Sequence, residues 1–159
     1  MKVASIKELK DELKHHSKEE LLTYCLQLSK FKKENKELLT YVLFDSTDEE
    51  EFIAQIKKEV ESQFDTINKK NFYLIKKSVR KILKMIKKYI RYSKKKETEV
   101  ELLLFFCTQL ANFSPSIKRN TTLLNLYNRQ LLLVKKGITM LHEDLQYDYE
   151  LELQELTLK

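Results

Sequence analysis

The chain has 159 residues, with 30 lysines and arginines against 24 acidic residues and a formal net charge of +6. It contains one glycine and one proline, where average usage predicts about 11 and about 8. This scarcity excludes glycine-rich phosphate loops and dinucleotide-binding fingerprints, and it argues against β-hairpins, whose turns need glycine or proline. The composition therefore predicts an all-α protein whose helices are joined by short polar links.

Capping boxes, in which Ser or Thr is followed three residues later by Glu, predict four helix starts, at Ser5, Ser17, Thr47 and Thr98. The last predicted helix keeps an alternating 3-4 spacing of apolar residues straight through Gly137, which favours one long helix; a break at Gly137 is the alternative. The predicted helices are Ser5 to about His15, Ser17 to about Lys30, Lys33 to Phe44, Thr47 to about Ile67, Phe72 to Tyr92, Thr98 to Phe113, and Ile117 to Leu145.

Short connections between these helices predict a single all-helical domain over residues 1–159. Sequential helices would then be antiparallel neighbours, in a helical bundle or a short irregular HEAT-like array of six to seven helices. Residues 146–159 form an acidic tail that is predicted to be frayed, extended or docked. Because Tyr147, Tyr149, Leu151 and Leu153 alternate with polar residues, an extended tail is favoured.

The N-terminus lacks the apolar core of a signal peptide, and no apolar run approaches the roughly 18 residues of a membrane span. Cys25 and Cys107 lie in apolar helical contexts, which suits buried, reduced thiols. These features predict a cytoplasmic protein with no membrane partner.

No catalytic or cofactor-binding constellation is visible. His15 and His16 are adjacent and would point about 100° apart on a helix, and Glu12 with His15 is a lone Glu-x-x-His pair. No histidine lies near either cysteine to activate it. We therefore predict a protein that is not an enzyme and that carries no metal and no other cofactor.

The segment from Lys69 to Lys96 carries thirteen cations and no acidic residue. On a helical wheel its apolar residues form a core-facing stripe, and eight cations share an adjacent arc over about four turns. Tyr73 falls inside the same arc. The candidate polyanion-binding residues are Lys76, Lys77, Arg80, Lys81, Lys84, Lys87, Lys88, Arg91 and Tyr73.

Two interpretations of this face remain open. It could bind nucleic acid or an acidic protein surface, with lysines and arginines on phosphates and Tyr73 stacked on a base. Alternatively, the acidic segments Asp45–Asp65 and Glu143–Glu155 could neutralise it, with Asp48 to Glu51 beside Lys88, Arg91 and Lys94. The protein would then be a helical scaffold that binds other proteins or forms a homo-oligomer through the long last helix.

The opening of the chain carries a family resemblance. Leu9-Lys10, Leu13-Lys14 and Ser17-Lys18-Glu19-Glu20-Leu21, followed by Leu26 and Leu28, resemble the start of a functionally uncharacterised family of small all-helical bacterial proteins. The resemblance covers Met1 to about Asp45. It implies a bacterial cytosolic protein and brings no catalytic residues.

Overall fold

In the computed structural model, which describes residues 1–156, the fold is all-α, with eight α-helices and no strand over that range. Short 3-10 turns lie at Asp45–Thr47 and Ile117–Arg119. The predicted tail residues 157–159 lie outside the described residues. The helices are α1 Ile6–Leu13, α2 Lys18–Phe31, α3 Lys33–Leu43, α4 Glu49–Asp65, α5 Phe72–Ser93, α6 Lys96–Ala111, α7 Thr121–Ile138 and α8 Glu143–Glu155.

The chain divides into two compact units, Met1–Phe44 with α1 to α3 and Asp45–Lys159 with α4 to α8. In the first unit the predicted capping boxes at Ser5 and Ser17 are confirmed, because each serine accepts from the backbone N–H three residues later and the glutamate there bonds back. α2 packs against α3, and the Asn35 amide donates to the Leu28 carbonyl at 2.7 Å across the link.

The second unit is built around α6, which packs against α4, α5 and α7, and most extensively against α7. Nine of the sixteen residues of α6 are buried. The ring of Phe64 from α4 lies 5.9 Å from that of Phe106 on α6 and 6.1 Å from that of Phe113. The core of this unit is therefore a central apolar helix covered on several sides.

Two predicted helix starts are displaced by a few residues. α4 is capped by Asp48, whose side chain accepts from the Glu51 N–H at 3.1 Å, and not by Thr47. α6 starts at Lys96, so Thr98 lies inside its first turn, where it is buried. Thr98 does not cap the helix because it lies three residues beyond the N-cap position, Lys95, and its hydroxyl donates to Glu49.

The predicted long helix from Ile117 to Leu145 is wrong. α7 ends at Ile138 and α8 begins at Glu143, which raises the number of α-helices from the predicted six to seven to eight within residues 1–156. The side chain of Gln146 donates to the Leu141 carbonyl at 2.8 Å and to the Thr139 carbonyl at 3.3 Å. Carbonyl groups left without helical partners at this corner are thereby satisfied.

Gly137 lies within α7 and serves close packing instead of breaking the helix. A Cβ atom at this position would lie 2.6 Å from Val100 Cγ2 on α6. That distance is well inside van der Waals contact, so only glycine lets the two helices approach this closely.

The acidic tail is helical as far as Glu155, where the alternation of Tyr147 to Leu153 favoured an extended segment. Tyr149 is buried, and its hydroxyl donates to Glu101 Oε2 at 3.3 Å. The pKa of Tyr149 lies well above its ordinary value. Burial is the largest cause, and the negative charge of Glu101 is the second. α8 thus docks through one face.

Candidate polyanion-binding site

The candidate site lies on α5, whose ends are fixed by local hydrogen bonds. Asn71 caps the first turn by accepting from the Leu74 N–H at 2.9 Å. Lys94 ends the helix in the left-handed conformation, with φ of 59°, and its N–H donates to the Ile90 carbonyl. The predicted core stripe is buried at Ile75, Val79, Ile82, Leu83 and Ile86.

We call the eight predicted cations Lys76, Lys77, Arg80, Lys81, Lys84, Lys87, Lys88 and Arg91 the basic face. Six of the eight are exposed, whereas Lys76 and Lys88 are half-buried. Tyr73 is 69% exposed and lies one helical turn before Lys77. The exposed residues Tyr73, Lys77, Arg80, Lys84, Lys87 and Arg91 recur every three or four positions, so they form a single row along the helix.

Part of the basic face borders a groove of about 660 Å³, which we call the basic groove. Its apolar lining comes from α5, α6 and α7, and Leu133 on α7 is 41% exposed. The lining residues are Arg80, Lys84, Lys87, Arg91, Leu83, Ile90, Leu103, Leu133 and Glu99. An apolar surface bordered by four cations suits an anionic ligand with apolar parts.

Glu99, the carboxylate in this lining, is paired with Lys96 at 2.6 Å. Within the basic face, Lys88 differs from the other seven cations in its contacts. Its Nζ lies 4.9 Å from the Tyr89 ring centroid, and it has further interactions. The other seven cations form no ion pair with any carboxylate of residues 1–156. Within residues 1–156, no carboxylate neutralises these seven side chains by direct contact.

The predicted acidic neighbours of α5 lie near its end. Glu49 in the first turn of α4 accepts from the hydroxyls of Ser93 and Thr98 and pairs with Lys95 at 3.2 Å. None of these three partners belongs to the basic face. Arg91 and Lys94, two of the predicted partners of this acidic turn, form no ion pair within the described chain.

The acidic helix α8 docks elsewhere. Tyr149 binds Glu101, and Glu101 also accepts from Lys57 Nζ of α4 at 2.7 Å. Glu101 and the groove residues Glu99 and Leu103 are separated by two positions on α6, which places them about 200° apart around the helix axis. α8 is thus attached to the side of α6 that faces away from the basic groove.

The other residues considered from sequence form no reactive site. His16, not His15, approaches Glu12, with Nε2 3.4 Å from Oε1, and its Nδ1 lies 2.9 Å from Glu20 Oε2. The bond to Glu20 is the main cause of a raised pKa of His16. Within residues 1–156 no group of three or more His, Cys, Asp or Glu side chains has the arrangement of a metal site.

Of the two cysteines, Cys107 is buried as predicted, whereas the predicted burial of Cys25 is wrong, because α2 leaves it exposed. Burial raises the pKa of the Cys107 thiol to about 12, which keeps it protonated and unreactive. No helix of the described chain combines the length and the apolar content needed to cross a bilayer.

Sequence reasoning missed the residues that complete the groove and anchor α5. Leu103 and Leu133 belong to different helices from the cations, and their meeting depends on how α6 and α7 pack against α5. In the sequence, Glu49 resembled an ordinary acidic residue of a helix's first turn.

Comparison of the chain with protein-family models, with curated proteins and with solved structures gives no match.

Proposed function

We propose that this protein is a cytoplasmic, non-catalytic interaction module, an irregular antiparallel helical bundle that binds nucleic acid through the basic face of α5. One observation carries the proposal: seven cations of that face have no carboxylate partner among residues 1–156, and six of the eight are exposed. Phosphate groups would replace the counterions that these side chains otherwise hold.

The row from Tyr73 to Arg91 gives this interaction its geometry. From Tyr73 to Arg91 it advances 18 positions along the helix and therefore extends about 27 Å at 1.5 Å per residue. Arginine and lysine at every turn suit a phosphate backbone, and the exposed ring of Tyr73 offers a surface on which a base could stack. Such contacts carry little sequence information, so we expect binding that depends weakly on base sequence.

A fluorescence polarisation titration with single-stranded and duplex oligonucleotides tests the proposal. The variant replaces Lys77, Arg80, Lys84 and Arg91 with glutamine. The control replaces Lys30, Lys58, Lys118 and Arg119, which are exposed and outside the basic face, and so removes the same number of charges.

We expect the α5 variant to bind at least about tenfold more weakly than the control at low salt. The log-log salt slope on duplex DNA should also fall by about 0.9 for each phosphate that the variant no longer neutralises. Equal affinities of the two variants, or no binding by the unmodified protein at low salt, would contradict the proposal.

The alternative function is a helical scaffold that binds a protein. Its support lies in the first unit, where α2 and α3 expose large apolar side chains, including Leu28 at 61% and Phe31 at 78%; contiguous exposed apolar surface is typical of protein contacts. Self-association through one long last helix draws less support, because α7 and α8 are separate helices and Tyr127, Val134 and Ile138 of the predicted stripe are buried. A scaffold of this kind predicts no response to the α5 substitutions.

A further inference from the structure

We infer that the basic groove binds the outer face of α8 from a second copy of this chain. α8 has two distinct faces. Its inner face, which includes Leu145, Tyr149 and Leu153, is buried or half-buried. The outer face is exposed and carries both acidic and apolar side chains: Asp144, Tyr147, Asp148, Leu151 and Glu155.

The charged rows on the two surfaces have matching lengths. In the groove the cations lie at Arg80, Lys84, Lys87 and Arg91, so the row advances eleven positions along its helix. On α8 the acidic row from Asp144 to Glu155 also advances eleven positions. At 1.5 Å per residue each row is about 16 Å long, so two helices lying side by side would keep their charges in contact along the whole row.

The apolar parts match as well. Tyr147 is 65% exposed and Leu151 is 43% exposed, and they lie one helical turn apart on α8. Between the cations, the groove presents the exposed Leu133 and the partly exposed Ile90, and its lining also includes the buried side chains of Leu83 and Leu103. A helix with apolar side chains in its centre and acids beside them is the kind of ligand that an apolar groove bordered by cations accepts.

The occupant has to come from another molecule. Tyr149 and Glu101 hold α8 on the side of α6 that faces away from the groove. Within one chain, α8 would therefore have to leave its docking site to reach the groove. Between two chains both surfaces are already formed, so no ordering of either helix opposes the contact.

The contact joins two different surfaces, so a pair of copies leaves the α8 of one copy and the groove of the other unused. One face of a 13-residue helix is smaller than the roughly 800 Å² per partner of a standard stable interface. We therefore expect weak, reversible association that salt weakens, because charge pairs supply much of the attraction. The inference rests on the groove and α8 alone, and nucleic acid bound to α5 would compete with it.

Charge reversal tests this pairing by sedimentation equilibrium. A groove variant carries Lys84→Glu and Lys87→Glu, and a helix variant carries Asp148→Lys and Glu155→Lys. We expect the mean mass of the unmodified protein to rise above the 19.1 kDa of one chain with concentration at low salt, and to return to it at high salt. Each variant alone should associate at least about tenfold more weakly, because like charges then face each other.

An equimolar mixture of the two variants should associate again, since the reversed groove then faces the reversed helix. Leu151→Ser keeps every charge and should weaken association, which checks the apolar part without altering electrostatics. The helix variant should still bind oligonucleotides, so a failure to associate is distinguished from a failure to bind nucleic acid. A monomeric unmodified protein at low salt, association that survives in the helix variant, or a mixture no more associated than its components would overturn the inference.

Discussion

The hydroxyl of Thr98 on α6 donates a hydrogen bond of 2.7 Å to Glu49 Oε1 on α4. Glu49 also accepts from Ser93 and pairs with Lys95, so one carboxylate joins the start of α4, the end of α5 and the first turn of α6. A single side chain thereby connects one end of each of three helices in the second unit.

Replacing Thr98 with valine should lower the free energy of unfolding by about 1–3 kcal/mol, because it keeps the shape of the side chain and removes a donor to a charged acceptor. Thr98→Ser retains the hydroxyl and serves as the control. Urea unfolding of the two variants measures the difference. If valine proves as well tolerated as serine, the hydroxyl contributes nothing to stability.

Gly137→Ala should destabilise the protein. The new Cβ would meet Val100 Cγ2 at 2.6 Å in a fully buried contact, and overpacking of this kind costs about 1–3 kcal/mol. That cost exceeds the gain of up to about 1 kcal/mol from removing glycine from a helix interior.

The double variant Gly137→Ala with Val100→Ala separates these effects. Because the smaller side chain makes room for the new methyl group, thermal unfolding should show the pair to be less harmful than the sum of the single changes. An increase in stability for Gly137→Ala alone would show that α6 and α7 separate easily.

Lys94→Gly should stabilise the protein by about 0.5–1 kcal/mol. Lys94 ends α5 with a φ of 59°, which residues other than glycine rarely adopt. Lys94→Ala removes the same charge and keeps the unfavourable backbone conformation. A gain in melting temperature for the glycine variant only is expected. Equal effects of the two substitutions would assign the change to charge.

We expect Glu152 on α8, whose side chain is exposed, to make a small pH-dependent contribution to stability. Loss of hydration is the largest cause of its raised pKa, the charges of Glu101, Glu155 and Asp148 add to it, and Lys57 opposes it. A raised pKa in the folded state means that the contribution of Glu152 is most favourable below the ordinary value of 4.5 and is lost as the pH rises through the folded pKa.

Glu152→Gln should therefore raise the melting temperature at neutral pH, by no more than about 2 °C. The gain should shrink as the pH falls below 4.5, where the glutamate is protonated in both states. Glu150→Gln, on the same helix, controls for the change in net charge. If the gain in melting temperature grew towards acid pH, a raised pKa of Glu152 in the folded state could not be its cause.

Local patterns in the sequence predicted the helices well where a single helix carries the signal. The buried stripe of α5 and the caps at Ser5 and Ser17 depend on residues three or four positions apart. The 3-4 spacing of apolar residues continues across the break between α7 and α8, which is why it favoured one long helix over the alternative of a break at Gly137. The corner after α7 is held by hydrogen bonds from Gln146, which lies beyond the break and contributes nothing to the apolar pattern.

The candidate site was predictable as a row of cations and not as a groove. Arg80 to Arg91 share a face because of helix geometry alone. Leu103 and Leu133 join them only through the packing of three helices. The position of Glu49 was also out of reach, because its partners are more than forty residues away and its role depends on how α4 meets the end of α5.

The central position of α6 has a consequence for synthesis of the chain. Its apolar run Leu102 to Phe106 leaves the ribosome before α7, the helix that covers it most extensively. Until α7 has emerged, one side of this run is uncovered and exposes apolar surface to other nascent chains. A pause in translation while α6 is outside the ribosome and α7 is still inside it would therefore favour aggregation, whereas a pause after α7 has emerged would not.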